Sequence, residues 1–197
     1  MNYDIYLVGV GGQGVLTIAE LITRAAVAAG IPANYYPTKG MAQRGGFVKA
    51  QVRLGRAVVG PRIPEKGADL AIAMEQSEAL KAVRYLKLGG DFVLLGRIWQ
   101  PTAVMLGKAP YPGREAVKEH IRAAGAAVHF LDPGRVPLLD GRPVPYNVYV
   151  LGAAVGKTPL GQVLNPAAVA ELIAVRWKRG VEANRLAFQA GLEANKG

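Results

Sequence analysis

The sequence predicts an α/β fold in three layers, α/β/α, with a mostly parallel sheet and a helical C-terminal third. Three observations carry that expectation. A buried-strand pattern over residues 3–8 runs directly into Gly9-Val10-Gly11-Gly12-Gln13-Gly14 and then into a helical stripe. Strand and helix patterns alternate from Asp69 to Leu131, as a parallel sheet covered by helices requires. From Asn147 onward the periodicity is helical only. With 197 residues, 51% of them hydrophobic and 19% charged, the chain is long enough for one large core, and it reads as a single domain over residues 1–197.

The first helix places Ile18, Leu21, Ile22, Ala25, Ala26 and Ala29 on one face and stops at Gly30 and Pro32. A short strand is expected over residues 33–36. Residues 37–46 are too rich in glycine and cations for regular structure. From Phe47 to Leu54 the alternation is clean, with Val48, Ala50, Val52 and Leu54 on one face and Lys49, Gln51 and Arg53 on the other. Gly55-Arg56 is expected to turn this strand into an antiparallel hairpin with Ala57-Val58-Val59, giving a cationic face. Strands over residues 69–74, 91–95 and 127–131 then alternate with helices over 77–86 and 114–124. Residues 134–145, with three prolines and two glycines, read as the most linker-like part. Three helical segments complete the chain: 147–155; one capped by Asn165 with Pro166 first and Val169, Leu172, Ile173 and Trp177 inward; and 181–194.

The chain has no cysteine, which excludes a disulfide framework, a thiolate nucleophile, a cysteine-ligated iron–sulfur cluster and a cysteine-based zinc site within it. His120 and His129 fall in a helix and a strand without ligands at metal spacing, so no metal site is expected. The one serine, Ser77, lacks the Gly-x-Ser-x-Gly elbow, and no catalytic residue is assigned. Glu75 and Asp132, at strand ends, read either as groups acting on a substrate or as helix caps.

Lys and Arg number 24 against 14 acidic residues, a net charge of +10. Between Glu20 and Glu65 there is no carboxylate, whereas Arg24, Lys39, Arg44, Lys49, Arg53, Arg56 and Arg62 all fall there. A field of one sign attracts phosphate groups, an acidic partner or nucleic acid. No aromatics interleave with Lys49, Gln51 and Arg53 for base stacking, so nucleic acid is not expected as a partner. No run approaches the roughly 18 apolar residues of a membrane span, and the N-terminus has no signal-type region; the expectation is no membrane and a cytoplasmic location.

Gly9-x-Gly11-x-x-Gly14 between a strand and a helix gives a Rossmann-like turn, in which glycines allow close approach of a phosphate to the helix N-terminus. A nicotinamide dinucleotide site also needs an acidic residue about 20 positions further on, where Asn34-Tyr35-Tyr36-Pro37-Thr38 stands instead. A loop for some other anion, and tight packing alone, both stay open. The second glycine-rich loop, from Lys39 to Gly46, is expected at the end of a neighbouring strand, facing the same crevice. These features by themselves fit a stand-alone nucleotide- or coenzyme-binding α/β module.

Taken together, Gly9-Val10-Gly11-Gly12-Gln13-Gly14-Val15-Leu16-Thr17 and Gly40-Met41-Ala42-Gln43-Arg44-Gly45-Gly46, followed by the alternating strand, resemble the gamma-type domain of the 2-oxoacid:ferredoxin oxidoreductases, with the indolepyruvate enzymes nearest. Residues 63–70, Leu86-Lys87-Leu88-Gly89-Gly90, residues 147–152 and residues 184–191 extend the resemblance over nearly the whole chain. The resemblance implies an accessory subunit, inactive alone, of an enzyme that oxidatively decarboxylates an aryl 2-oxoacid such as indolepyruvate to the acyl-CoA. It places thiamine diphosphate and 4Fe-4S clusters on a larger alpha subunit, with two copies of each chain, coenzyme A as co-substrate and ferredoxin as electron acceptor. Carried onto this sequence, Gly11, Gly12, Gln13 and Gly14, with Lys39, Met41, Gln43, Arg44, Gly45 and Gly46, would line the substrate and coenzyme A site. Lys39 stands where many relatives carry histidine, and Phe47-Val48-Lys49 replaces small polar residues. A branched-chain or phenylglyoxylate-like oxoacid therefore stays open beside the aryl one.

Overall fold

The computed structural model describes residues 1–38 and 46–194. Strand β1 (Tyr3–Val10) is buried at every position because helices cover both faces of the sheet there. Alternation then sorts its side chains: Tyr3, Ile5 and Leu7 enter one apolar layer, Tyr6 and Val8 the other. Helix α1 (Val15–Ala28) follows, then β2 (Ala33–Thr38), β3 (Phe47–Leu54) and β4 (Ala68–Ala73). Next come the single-turn α2 (Ala79–Ala82), β5 (Leu86–Leu95), the single-turn α3 (Thr102–Met105), α4 (Arg114–Ala123) and β6 (Ala127–Leu131). A small pair of strands, β7 (Leu138–Leu139) and β8 (Arg142–Pro143), precedes α5 (Tyr146–Lys157), α6 (Leu160–Val163), α7 (Pro166–Arg176) and α8 (Val181–Glu193).

The main sheet has the order β2-β3-β1-β4-β5-β6. β1, β4, β5 and β6 run parallel, and β3 is antiparallel to both β1 and β2. One layer packs α1, α5, α7 and α8 against Ile5, Leu7, Val48, Ala50, Val52, Leu70 and Ile72. The opposite layer packs α2 and α4 against Tyr6, Val8, Ala71, Ala73, Phe92 and Leu94. This is the three-layer α/β fold with a mostly parallel sheet that the alternation predicts. α5 and α8 lie unusually close, because Gly152 and Gly191 leave no room for a Cβ: one would strike the Phe188 carbonyl and the other the Tyr149 carbonyl.

Three local expectations are corrected. β3 does not form a hairpin with residues 57–59: its antiparallel partners are upstream, Tyr3↔Leu54 to Val10↔Phe47 and Ala33↔Leu54 to Thr38↔Lys49, and Val58 is 96% exposed. The helix expected over 77–86 shrinks to α2 and one 3-10 turn, since Leu86 is claimed by β5 and pairs with Ala68. Residues 134–145 are no linker. They contain a 3-10 turn (Pro133–Arg135) and the β7–β8 pair, and Val136 and Val144 are buried in the first core.

On the cationic face of β3, Arg53 is neutralised and Lys49, among the described residues, is not. Arg53 donates to both Asp4 carboxylate oxygens at 3.1 and 3.2 Å, and Arg56 reaches Oδ1 of the same residue at 2.5 Å. Gln51 is only 3% exposed, and its Oε1 accepts the Ile63 N–H at 2.6 Å. No helix among the described residues is long and apolar enough to cross a membrane.

Candidate functional site

The loop leaving β1 is built by its own glutamine. Val10 N–H donates to Gln13 Oε1 at 2.9 Å while Gln13 N–H donates to the Val10 carbonyl at 3.1 Å, closing the turn from both sides. Gly9 has no space for a Cβ, which would lie 2.8 Å from Val15 Cγ2 and 2.9 Å from both Gln13 Oε1 and Met74 Cβ. Gly12 and Gly14 take positive φ, 92° and 81°, a conformation that costs a glycine little and an L side chain more. Gly12 faces open space, whereas Gly14 lies beneath Asn147 at the start of α5, with Nδ2 2.5 Å from where its Cβ would be.

α1 therefore begins with no acidic residue in its first turn and no side-chain cap. The first amides of any helix lack intrahelical partners, and the dipole adds positive potential there. An anion resting over Gly12 would meet both.

Gly11 N–H donates to the Gly46 carbonyl at 2.9 Å, so the end of the second glycine-rich segment is fastened to the first loop. This corrects the expected arrangement: β2 and β1 are not neighbours, and Gly46 reaches β1 because β3, which follows it, pairs antiparallel with β1. Of the ten residues read as lining the site, Gly11, Gly12, Gln13, Gly14 and Gly46 stand together at the C-terminal end of β1. Lys39, Met41, Gln43, Arg44 and Gly45 lie outside the described residues.

The exits of β4 and β5 complete this crest, around a carboxylate whose role sequence reading left open. Glu75 is fully buried. Its Oε2 accepts from Ser77 Oγ at 2.7 Å and Glu78 N–H at 2.8 Å; its Oε1 accepts from Trp99 N–H at 3.1 Å and from the Tyr111 hydroxyl. Burial, followed by the hydrogen bond to Glu75 and its charge, pushes the Tyr111 hydroxyl well above an ordinary phenol, which keeps it a donor. Gln76 extends the same seam, its N–H donating to the Arg97 carbonyl and its side-chain amide to the Pro112 carbonyl.

Glu75 is thus an organiser of the loops, with no oxygen left for general acid–base work, and Ser77 is committed to it. Asp132 takes the helix-cap alternative, accepting Gly134 N–H at 2.9 Å. His129 pairs with Asp91 at 2.7 Å in the sheet, away from Ser77. No group of three His, Cys, Asp or Glu among the described residues could hold a metal ion.

Beyond Glu75 the crest presents Arg97, whose guanidinium lies 4.9 Å over the Tyr146 ring, and an apolar apron of Ile98, Trp99, Met105 and Leu106, each about half exposed or more. Asn147, Arg97 and Tyr146 were not singled out as site residues in the sequence, because α5 meets the β1 loop only in three dimensions.

Comparison with known proteins places the chain. Residues 4–194 match the family described as Pyruvate ferredoxin/flavodoxin oxidoreductase. The chain is 35% identical over 197 residues to the indolepyruvate oxidoreductase subunit IorB of Thermococcus kodakarensis, covering 99% of this chain and 96% of that protein. It is 36% identical to the subunit of the same name from Pyrococcus horikoshii, with the same shares covered. In fold it matches the pyruvate oxidoreductase subunit PORC of Thermotoga maritima with a TM-score of 0.68 at 20% identity, over 98% of this chain and 96% of that one. The glycine-loop crest, the three-layer sheet and the full-length likeness lead to one assignment: the chain belongs to the pyruvate ferredoxin/flavodoxin oxidoreductase family.

Proposed function

We propose that this chain is the accessory subunit of an aryl-2-oxoacid oxidoreductase of the indolepyruvate type, one domain over residues 1–197 that completes the oxoacid and coenzyme A site of a larger partner subunit. The observation that carries the reading is the near full-length likeness to two subunits named for indolepyruvate oxidoreductase. The crest supports it: an uncapped helix N-terminus, an open Gly12 and a hydrogen bond that holds Gly46 beside them.

The resemblance assigns the iron–sulfur clusters and thiamine diphosphate to the partner, where thiamine diphosphate would supply the electron sink for decarboxylation, and the absence of cysteine from this chain agrees with that division. What remains for this chain is to bind and orient anions and to exclude water. The amides over Gly12 and Gly14 would hold a phosphate, and Arg44 and Lys39 would pair with phosphate or carboxylate oxygens, since charge-assisted contacts are the strong ones. The apolar apron at Ile98, Trp99, Met105 and Leu106 is the natural surface for the partner to cover.

Arg44→Ala in the assembled enzyme should raise the half-saturating concentration of coenzyme A or oxoacid about ten- to a hundredfold, the loss of one charged hydrogen bond, without dissociating the subunits. Steady-state kinetics with size-exclusion chromatography reads both. Unchanged half-saturation and turnover would remove Arg44 from the site.

A further inference from the structure

On the opposite face of the sheet from α1, the layer of α2 and α4 packs over β1, β4 and β6 and leaves β2 and β3 to be covered by the chain segment that joins β3 to β4. That segment closes down on β3: Arg53 donates to the carbonyls of Gly60 and Arg62, and Ile63 N–H donates to Gln51. Between it and the strands lies a cavity of 260 Å³ lined by Tyr36, Thr38, Lys49, Gln51, Arg62, Ile63 and Tyr85.

The lining carries one sign. It has two cations and no carboxylate. The nearby Asp4 is already held by Arg53 and Arg56, while neither Lys49 nor the Arg62 side chain is ion-paired among the described residues. Its neutral hydrogen-bonding groups can all donate. Gln51, nearly wholly buried, gives its Oε1 to Ile63, which leaves its amide N–H groups for the cavity.

Tyr85 stacks on Tyr6 with ring centroids 4.1 Å apart, and its oxygen accepts from Arg84 at 3.1 Å. Burial pushes the Tyr85 hydroxyl up, but hydrogen bonds from Tyr6 and Arg84 and the charges of Arg84 and Lys49 outweigh it and hold the group below an ordinary phenol. An oxygen that already accepts has its proton to donate elsewhere. Tyr36 and Thr38 add hydroxyls from β2.

We infer that this cavity is a phosphoryl-binding site, distinct from the glycine-loop crest, in which Lys49 and Arg62 supply charge and Gln51, Tyr85, Tyr36 and Thr38 supply neutral donors. A phosphoryl group fits because two cations converge there with several neutral groups able to donate, and no carboxylate in the lining repels it. The volume lies below the roughly 300–1,000 Å³ of sites that enclose a whole drug-sized ligand, so the site takes the phosphoryl end of a ligand or a free phosphate.

Lysine footprinting of the full chain tests this. Acylation of Lys49 is followed by mass spectrometry at constant ionic strength, with inorganic phosphate or adenosine 3′,5′-bisphosphate added, and Lys178, on the exposed turn between α7 and α8, serves as the reference. Saturating phosphate is expected to slow Lys49 acylation at least tenfold without changing Lys178. Arg62→Gln, on an exposed side chain, is expected to raise the half-protecting concentration about tenfold. Protection by phosphate supports a free oxyanion, and protection by the bisphosphate alone supports a phosphoryl group carried on a nucleotide. Absence of protection by both, equal protection of Lys178, or indifference to Arg62→Gln would overturn the site.

Discussion

Glu75 shows how one buried carboxylate can substitute for secondary structure. Four donors from three separate stretches of chain converge on it and tie the loops after β4 and β5 together. Glu75→Gln keeps the shape but replaces one acceptor oxygen by a donor facing donors. The variant should lose about 2 kcal/mol of stability, since hydrogen bonds to a charged acceptor are the strong ones and an unmet buried donor is costly. Urea denaturation measures this; a midpoint within error of the parent would show that the four bonds are interchangeable with water. None of the four partners was legible in the sequence. Trp99 and Tyr111 stand 24 and 36 residues away, and nothing in Met74-Glu75-Gln76-Ser77 distinguishes a carboxylate that organises loops from one that caps a helix or meets a substrate.

At the scale of elements, periodic patterns identified strands and helices well and their partners poorly. β1, its glycine turn and α1 were readable because buried alternation, glycine spacing and a helical stripe are all local signals. The partner of β3 was not. Ala57-Val58-Val59 looks like a strand two residues past a glycine turn, but β3 gains two partners by sitting between β1 and β2, and the apolar triplet is left outside. The same competition shortened the helix after Ser77 when β5 extended back to Leu86. For the α5–α8 pair the glycines at 152 and 191 look unremarkable in sequence, yet they set the distance between the helices. Gly152→Ala should cost at least about 1–3 kcal/mol through overpacking against a backbone carbonyl that cannot move aside. A thermal melt tests it, and a gain from the better helix propensity of alanine would mean that the helices separate at little cost.

The whole molecule carries several tyrosines whose burial disfavours the phenolate. Tyr3 is pushed up to about 12 by burial, and burial likewise raises Tyr6, Tyr35, Tyr111 and Tyr149, while Tyr85 is lowered. An unfolded chain releases these protons near pH 10, whereas the folded one holds them longer. Above about pH 10 the unfolded state therefore binds fewer protons, and stability falls as pH rises. The contribution is fully present below pH 10 and is lost through about pH 12. Denaturant midpoints between pH 9 and 11.5 should decline, with a shallower slope in Tyr3→Phe; a flat profile would contradict the burial described above.

The reversal of β3 has a consequence for how such a subunit can diversify. Residues 39–45 leave β2 at Thr38 and rejoin at Gly46, and both anchor points are set by strand register and by the Gly11–Gly46 hydrogen bond, not by what lies between. Substitutions at the seven intervening positions should leave the registration of the sheet unchanged. Under the proposed function, selection on oxoacid preference can therefore act at these positions without loss of the core. Grafting the corresponding stretch from a relative is accordingly the most economical way to retune this protein.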